Sequence, residues 1–334
     1  MEDKILLAHG SGGKKAHELI EKSFISALNN RVLAPLNDSA VFKLKGKLAF
    51  TTDSYVVQPI FFPGGNIGKL SVCGTVNDLS TSGAKPLYLS LAFIIEEGFP
   101  FSDLQTIVTS IKETADEAGV KIVTGDTKVV EHGSADKIFI NTAGIGLVPD
   151  NVNISGSNAK PGDVVILSGT IGDHGIAVLS KRQGLSFGTK LESDCAPLGK
   201  MVAGMLEASS NIHSLRDPTR GGLATTLNEL AKQSNVGIRI YESDIPVREE
   251  VTGACEMLGL DPLYIANEGK MIVIVAAEDA GRVLASIKRN RYGKNAAIIG
   301  EVTPGLPGRV VMKTLLGANR IIDMLVGEPL PRIC

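Results

Sequence analysis

The chain has 334 residues, with 34 Lys+Arg against 36 Asp+Glu and a formal net charge of −2, so there is no basic excess to neutralise a nucleic-acid backbone. Hydrophobic residues make up 43% and charged residues 21%, which excludes disorder for most of the length and makes two domains the natural expectation. The longest apolar runs, 88–95 and 271–277, fall far short of the ~20 residues that cross a bilayer, and Met1-Glu2-Asp3-Lys4-Ile5 opens without an apolar signal core, so a cytoplasmic protein without membrane association is expected.

In chain order, β-rich runs at 41–44, 48–52, 88–95, 121–124 and 138–148 alternate with helical patterns at 16–28, 67–82 and 102–118. Ser102 is placed as the N-cap of the last of these and Gly119 as its C-cap. The polar stretch 149–162 reads as a linker. Beyond it come a strand at 164–167, a helix at 176–183, helices at 199–209 and 223–233, strands at 237–241 and 271–276, and a helix at 278–290. The mixture predicts an α/β (α+β) fold of two unlike domains, 1–150 and 151–318, with a C-terminal α/β sandwich. A mobile tail, 319–334, carries Cys334.

Cys73, Cys195, Cys255 and Cys334 form no CxxC pair, which argues against a disulfide framework or a zinc site. The aspartates carry more information. Asp38, Asp53, Asp78 and Asp126 each close an apolar or β-rich run, and clustered carboxylates repel unless cations intervene. Magnesium bridging such groups to a polyphosphate is the economical arrangement, although any one of these residues could serve as a turn or cap. Gly64-Gly65-Asn66-Ile67-Gly68-Lys69-Leu70 lacks P-loop spacing, and Gly144-Ile145-Gly146 does not open a helix, so neither a Walker A motif nor a dinucleotide fingerprint is present. His9-Gly10-Ser11-Gly12-Gly13-Lys14-Lys15 precedes a helix and could hold a phosphate on backbone N–H groups, or could be an ordinary flexible entry. Asp217, in Arg216-Asp217-Pro218-Thr219-Arg220-Gly221-Gly222, could join the same metal site or cap the following helix. The histidines lack metal-ligand spacing, and His174 beside Asp173 has no evident role. A thiol on the last residue suits a carrier arm. Pro329 and Pro331 favour extended backbone at about 3.1 Å per residue, giving a reach of roughly 20 Å from Gly327.

Asn37-Asp38-Ser39-Ala40-Val41, Thr52-Asp53, Asn77-Asp78-Leu79-Ser80-Thr81-Ser82-Gly83-Ala84, Gly125-Asp126-Thr127 and Asp217-Pro218-Thr219-Arg220-Gly221-Gly222 together resemble the aminoimidazole ribonucleotide synthetase-like (PurM-like) superfamily over essentially the whole chain. Within it, the opening 9–13, the segment 123–130 and above all the ending Pro329-Leu330-Pro331-Arg332-Ile333-Cys334 are similar to hydrogenase maturation factors of the HypE family. The resemblance implies ATP and Mg²⁺ in a cleft, and a homodimer whose N-terminal domains build a β-barrel. It also implies ATP-driven dehydration of a carbamoyl group on Cys334 to a thiocyanate, as a source of the cyanide ligands of [NiFe] hydrogenase. The implied partners are a HypF-type carbamoyltransferase as donor and a HypC/HypD-type iron-binding scaffold as acceptor.

On this reading Asp38, Asp78, Asp126 and Asp217 hold metal, and Asp53, Asn77, Gly125, Thr127, Gly12 and Gly13 complete the nucleotide site. Lys128 steadies the phosphoryl group or carbonyl oxygen, and Glu268 takes protons from the carbamoyl nitrogen. Two alternatives stand beside it. One is another phosphoryl-transfer enzyme of the superfamily, such as selenophosphate synthetase, although the N-terminal loop lacks the reactive Cys or selenocysteine that enzyme resembles its kin in. The other is a non-catalytic cysteine carrier or scaffold.

Overall fold

The polar stretch after residue 148 separates two sheets of different construction. The structure, a computed structural model, describes residues 4–11, 13–37, 39–184, 191–327 and 330–334. An N-terminal arm with α1 (Lys14–Leu19), a π-helical turn (Ile20–Ile25) and α2 (Ser26–Leu28) leads into the first sheet. Its strands are β1 (Lys47–Tyr55), β4 (Lys85–Glu96), β5 (Lys121–Val130) and β6 (Ile138–Val148), in the order β1-β6-β4-β5. A short hairpin, β2 (Phe61–Phe62) and β3 (Gly65–Asn66), precedes α3 (Ile67–Thr81), and α4 (Phe101–Ala118) packs beside it.

Helix α3 is buried nearly all round, as expected for a helix without an amphipathic stripe. Its small residues permit this. A Cβ at Gly68 would lie 2.5 Å from the Ile107 carbonyl oxygen, and one at Gly74 would lie 2.4 Å from the Tyr55 hydroxyl, so α4 and β1 approach its backbone directly. The opposite face of the sheet leaves Leu48 (51%), Phe50 (71%) and Ile94 (45%) exposed. Strand register puts all three on that face, through Leu48↔Leu147, Phe50↔Ile145 and Ile94↔Phe139.

The second half holds β7 (Val164–Leu167), α5 (Asp173–Gln183), α6 (Gly199–Ala208), β8 (Ile212–Arg216), α7 (Gly222–Ser234), β9 (Gly237–Tyr241), α8 (Glu249–Leu258), β10 (Ile272–Val275), α9 (Ala280–Arg289), β11 (Ala297–Thr303), β12 (Val310–Lys313) and β13 (Asn319–Ile322). The sheet order is β13-β12-β9-β11-β7-β10-β8. Its central strands bury both faces by strict alternation. Val165, Leu167, Ile272 and Ile274 pack with Leu223, Leu227 and Leu230 of α7, while Ile166, Val273 and Val275 pack with Met201, Met205, Val283 and Ile287 of α6 and α9. This is the α/β sandwich read from the sequence.

Several expectations are corrected. Residues 41–44 form no strand: Val41 is 84% exposed, and Phe42 packs on the Tyr88 ring at 4.5 Å without strand pairing. Helix α4 starts at Phe101 with Pro100 as N-cap, two residues ahead of the expected Ser102; Gly119 closes it in the left-handed conformation at φ +76°. Asp78 lies on α3, and Asp53 and Asp126 lie inside strands, so none of the three ends a strand. The stretch expected to begin a mobile tail at 319 instead begins with β13, whose residues 319–322 pair with β12. No helix among the described residues is long and apolar enough to cross a membrane.

Candidate functional site

Where β8 ends, the chain turns through Asp217-Pro218-Thr219-Arg220 into α7. The turn uses Gly221 and Gly222 at φ +74° and +61°, and a Cβ at Gly222 would come 2.6 Å from the carbonyl oxygens of Leu263 and Ile265. That close approach brings the loop 263–268 against the turn. Asn267 ties them together: its backbone N–H and its Nδ2 donate to the Pro218 carbonyl at 3.1 and 2.9 Å, and its Oδ1 accepts from the Gly172 N–H at 2.8 Å. Asp217 and its neighbour across the loop, Glu268, are thereby fixed in one pocket.

Asp78 enters the pocket from α3, where Thr51 of β1 donates to its Oδ2 at 3.0 Å. Asp53 enters from β1, with the Arg220 guanidinium 4.0 Å away. The electrostatics report crowding of negative charge. Burial raises Asp78, and the charge of Asp53 adds to the effect against Arg216 and Arg220. Burial, then the charges of Asp78 and Asp53, push Asp217 up to about 7 despite Arg216. Glu268 is 3% exposed, and burial raises it well above the carboxylate range, helped by Cys195, Asp217, Asp194 and Asp53. Its Oε1 has no hydrogen-bond partner among the described residues, which marks it as a group awaiting a ligand or proton donor.

Asn77, expected to assist at the nucleotide, lies next to Asp78 in the frame of the pocket. Its amide is fully engaged between the halves: Nδ2 donates to the carbonyls of Ala196 and Glu268 at 3.0 and 3.2 Å, and Oδ1 accepts from the Leu198 N–H at 2.8 Å. It clamps the pocket's frame. Beneath Glu268, Asp194 accepts from the N–H groups of Glu268 and Gly269, both at 3.2 Å, and from Lys270 Nζ at 3.0 Å. Burial alone would raise Asp194, but Lys270, His174 and those hydrogen bonds outweigh it and hold the carboxyl below its usual value. Sequence reasoning missed Asp194 and Lys270, which occupy no motif.

A second group of expected residues lies elsewhere. Asp126 and Lys128 sit on β5, at the opposite edge of the first sheet from β1, three strand spacings or roughly 14 Å away. There Lys128 Nζ contacts Asp126 Oδ1 at 3.1 Å, Asp126 also accepts from the Thr127 N–H, and both charged side chains are exposed. The loop before α1 packs on this edge: a Cβ at Gly10 would come 2.5 Å from the Val129 nitrogen. Gly13 caps α1 without a side chain. Gly125 also lies on β5. Asp38 and Gly12 lie outside the described residues. The expected metal set Asp38, Asp78, Asp126 and Asp217 is thus not one cluster within the chain, since Asp126 is separated from Asp78 and Asp217. Among the described residues no three His, Cys, Asp or Glu come together as a metal cage.

The tail ends at the first group. The backbone N–H of Val56 donates to the Cys334 carbonyl at 3.2 Å, and that of Gln58 to the Arg332 carbonyl at 3.1 Å, so the last residues run antiparallel to the segment following β1. Ile333 is buried in the same hydrophobic cluster as Val57, Cys73, Cys195 and Ala266. Tyr55, immediately before Val56, is raised by burial and by the charges of Asp53, Glu268 and Asp78, so the segment that the tail pairs with begins beside the acidic pocket. Cys73, Cys195 and Cys255 are buried; Cys334 is partly exposed. His174, unexplained by the sequence, is buried with Nε2 2.9 Å from the Ile333 carbonyl. No local pattern could have disclosed that contact, because its partner lies 159 residues away. Pro329 of the expected arm lies outside the described residues.

With this geometry in place, comparison with known proteins is specific. Residues 36–148 match the family described as AIR synthase related protein, N-terminal domain, and residues 160–313 its C-terminal domain. The chain is 54% identical over 330 residues to the carbamoyl dehydratase HypE of Bradyrhizobium diazoefficiens, covering 98% of this chain and 95% of that protein. It is similar to a crystal structure of the hydrogenase maturation protein HypE in complex with ATP, with a TM-score of 0.96, 51% identity and coverage of 98% and 99% of the two chains. A chain from a HypE–HypF complex superposes with a TM-score of 0.82 at 53% identity, covering 92% and 99%.

Proposed function

Because this chain belongs to the HypE family of carbamoyl dehydratases, built from the two AIR synthase related domains, we propose that it converts a carbamoyl group carried on Cys334 to a thiocyanate in an ATP-driven dehydration that serves hydrogenase maturation. The observation that carries this reading is the pairing of the last residues with the segment following β1, next to crowded carboxylates that include buried Glu268, whose Oε1 has no hydrogen-bond partner among the described residues. The donor is a HypF-type carbamoyltransferase, and the acceptor of the cyano group is a HypC/HypD-type iron-binding scaffold. The chemistry needs Cys334 as a thiol, which fits a reducing cytoplasm.

An amide oxygen is a very poor leaving group; ATP supplies the phosphoryl group that lets it depart as phosphate. The residues present fit the nucleotide and its metal: Asp53, Asp78 and Asp217 offer hard oxygen donors whose mutual repulsion calls for a cation, yet they form no closed cage, so phosphate oxygens and water have room to complete the coordination. Mg²⁺ held there would neutralise the phosphate charge. Asp194, held ionised by Lys270, fixes the 268–270 backbone and so aims the Glu268 carboxyl. Glu268 accepts a proton from the carbamoyl nitrogen, and its high proton affinity retains it. The sulfur of Cys334 keeps the reacting carbon tethered throughout. The test is the mass of the C-terminal peptide after carbamoylation: it should lose one water with Mg²⁺-ATP and none with a non-hydrolysable analogue.

We assign Asp126, Lys128 and the 9–13 loop to the same site through a second copy of the chain. The apolar face bearing Leu48, Phe50 and Ile94 is what two such sheets would bury on closing into a dimeric barrel, and closure carries the β5 edge of one copy to the β1 edge of the other. Mixing inactive Lys128→Ala and Asp78→Ala chains should then restore about a quarter of wild-type activity, because half of the sites in each mixed dimer regain both residues. No recovery on mixing would place Lys128 and Asp78 in one chain's site.

Asp217 couples metal binding to pH. A carboxyl raised to about 7 must release its proton to bind a cation, so Mg²⁺-ATP affinity should fall as pH drops below about 7, by up to about tenfold per unit. Titration calorimetry at several pH values measures this, and Asp217→Asn should flatten the dependence; a flat wild-type profile would remove Asp217 from the metal site.

A further inference from the structure

Two side chains from the second half reach the backbone carbonyls of the tail. Arg182 Nη1 donates to the Pro331 carbonyl at 2.8 Å and Nη2 to the Arg332 carbonyl at 2.8 Å, while its Nε donates to the Gln58 carbonyl at 2.7 Å. One guanidinium therefore bridges the tail and the strand-like segment against which it lies. His174 takes the next carbonyl, that of Ile333. Its ring is fixed from behind. The Cys195 N–H donates to Ser193 Oγ at 3.1 Å, which leaves the Ser193 hydroxyl proton to donate to His174 Nδ1 at 2.7 Å and leaves the Nε2 proton for Ile333. Phe62 packs edge-on against the imidazole at 5.4 Å. The outer end of the tail is secured by Arg332, whose Nε donates to the Val56 carbonyl at 2.9 Å and whose Nη1 pairs with Asp136 at 2.6 Å. Arg332 adopts φ +55°, a conformation that a non-glycine residue holds only when its surroundings impose it.

We propose that His174 and Arg182 form a latch for the tethered substrate, positioning residues that dock the tail backbone in one register and set the fraction of time Cys334 spends in the cleft. This rests on the reading of Cys334 as the carrier. Because these hydrogen bonds go to the Pro331, Arg332 and Ile333 carbonyls, they can form whether the sulfur carries hydrogen, a carbamoyl group or a cyano group. A latch of separate modest hydrogen bonds can also open, as delivery to and from other proteins requires. Weakening it should move two rates in opposite directions: dehydration slows and outside access to Cys334 rises.

The experiment uses the full-length chain with His174→Leu, His174→Gln and Arg182→Met. Alkylation by iodoacetamide is followed peptide by peptide, so that buried Cys73, Cys195 and Cys255 report any general unfolding in the same sample. In His174→Leu and Arg182→Met, alkylation of Cys334 should rise about tenfold and single-turnover dehydration should fall by a similar factor, the consequence of losing one or two hydrogen bonds. The buried cysteines should stay unreacted and ATP affinity should not change. Gln, which can donate to the same carbonyl, should recover part of both effects. Wild-type alkylation rates at Cys334 in both of the disrupting variants would overturn the latch. If the carbamoylated wild-type chain keeps its water, the dehydratase reading fails, while the alkylation rates still decide whether His174 and Arg182 hold the tail.

Discussion

Replacing Cys334 with alanine should abolish water loss from the carbamoylated tail while leaving ATP binding intact. The two functions separate because the hydrogen bonds of His174 and Arg182 to the tail go to its carbonyls, while the pocket is built by the Asp217 turn, the 263–268 loop and the Asn77 clamp. Alanine keeps every one of those backbone contacts, so the tail should dock as before. Mass spectrometry of the C-terminal peptide, beside calorimetry of Mg²⁺-ATP binding, measures both quantities. Product formed by the alanine variant would move the carrier role to another residue, and loss of nucleotide binding would mean the sulfur is part of the ATP site itself.

The second large effect is expected at Glu268. Glu268→Gln preserves shape and removes only the capacity to take a proton, so single-turnover dehydration should fall by about 10²- to 10⁴-fold, the usual contribution of a positioned base. The sign on stability is opposite to that of most buried substitutions. A carboxyl whose folded-state pKa is raised disfavours the folded state as pH rises past its unfolded value, because the ionised form is the one burial opposes. A neutral amide removes that penalty, and the variant's Tm should equal or exceed that of the wild type from neutral pH upward. In the wild type the reactive form is the ionised one, so its rate should climb with pH above the ordinary carboxylate range. A Gln variant that dehydrates at the wild-type rate would show that the proton leaves by another route.

How far the site could be read in advance depended on where its residues fall in the chain. Asp53, Asp78, Asp217 and Glu268 each sit in a short segment with its own signature, and the structure gathers all four. Asp126 and Lys128 have an equally clear signature yet stand at the far edge of the sheet, because strand order β1-β6-β4-β5 departs from chain order and is set by which faces bury together. Asn77 shares a segment with Asp78, but one step along a helix turns a side chain by about 100°, and the interface with 196–198 claims it. His174, Arg182, Asp194 and Lys270 were silent in the sequence because their partners are backbone groups or side chains distant along the chain, and backbone carbonyls leave no trace in residue type.

The sequence by itself determined the alternation of apolar residues that forms both sheets, the division of the chain near residue 150, the acidic segments and the thiol at Cys334, since these follow from local periodicity and side-chain chemistry. Only the tertiary structure decided which carboxylates share a pocket, that burial would lift Asp217 and Glu268, and that the last residues pair with the segment following β1. Those outcomes depend on strand order, on the close approach allowed at Gly222 and on desolvation, quantities that exist only once distant segments pack together.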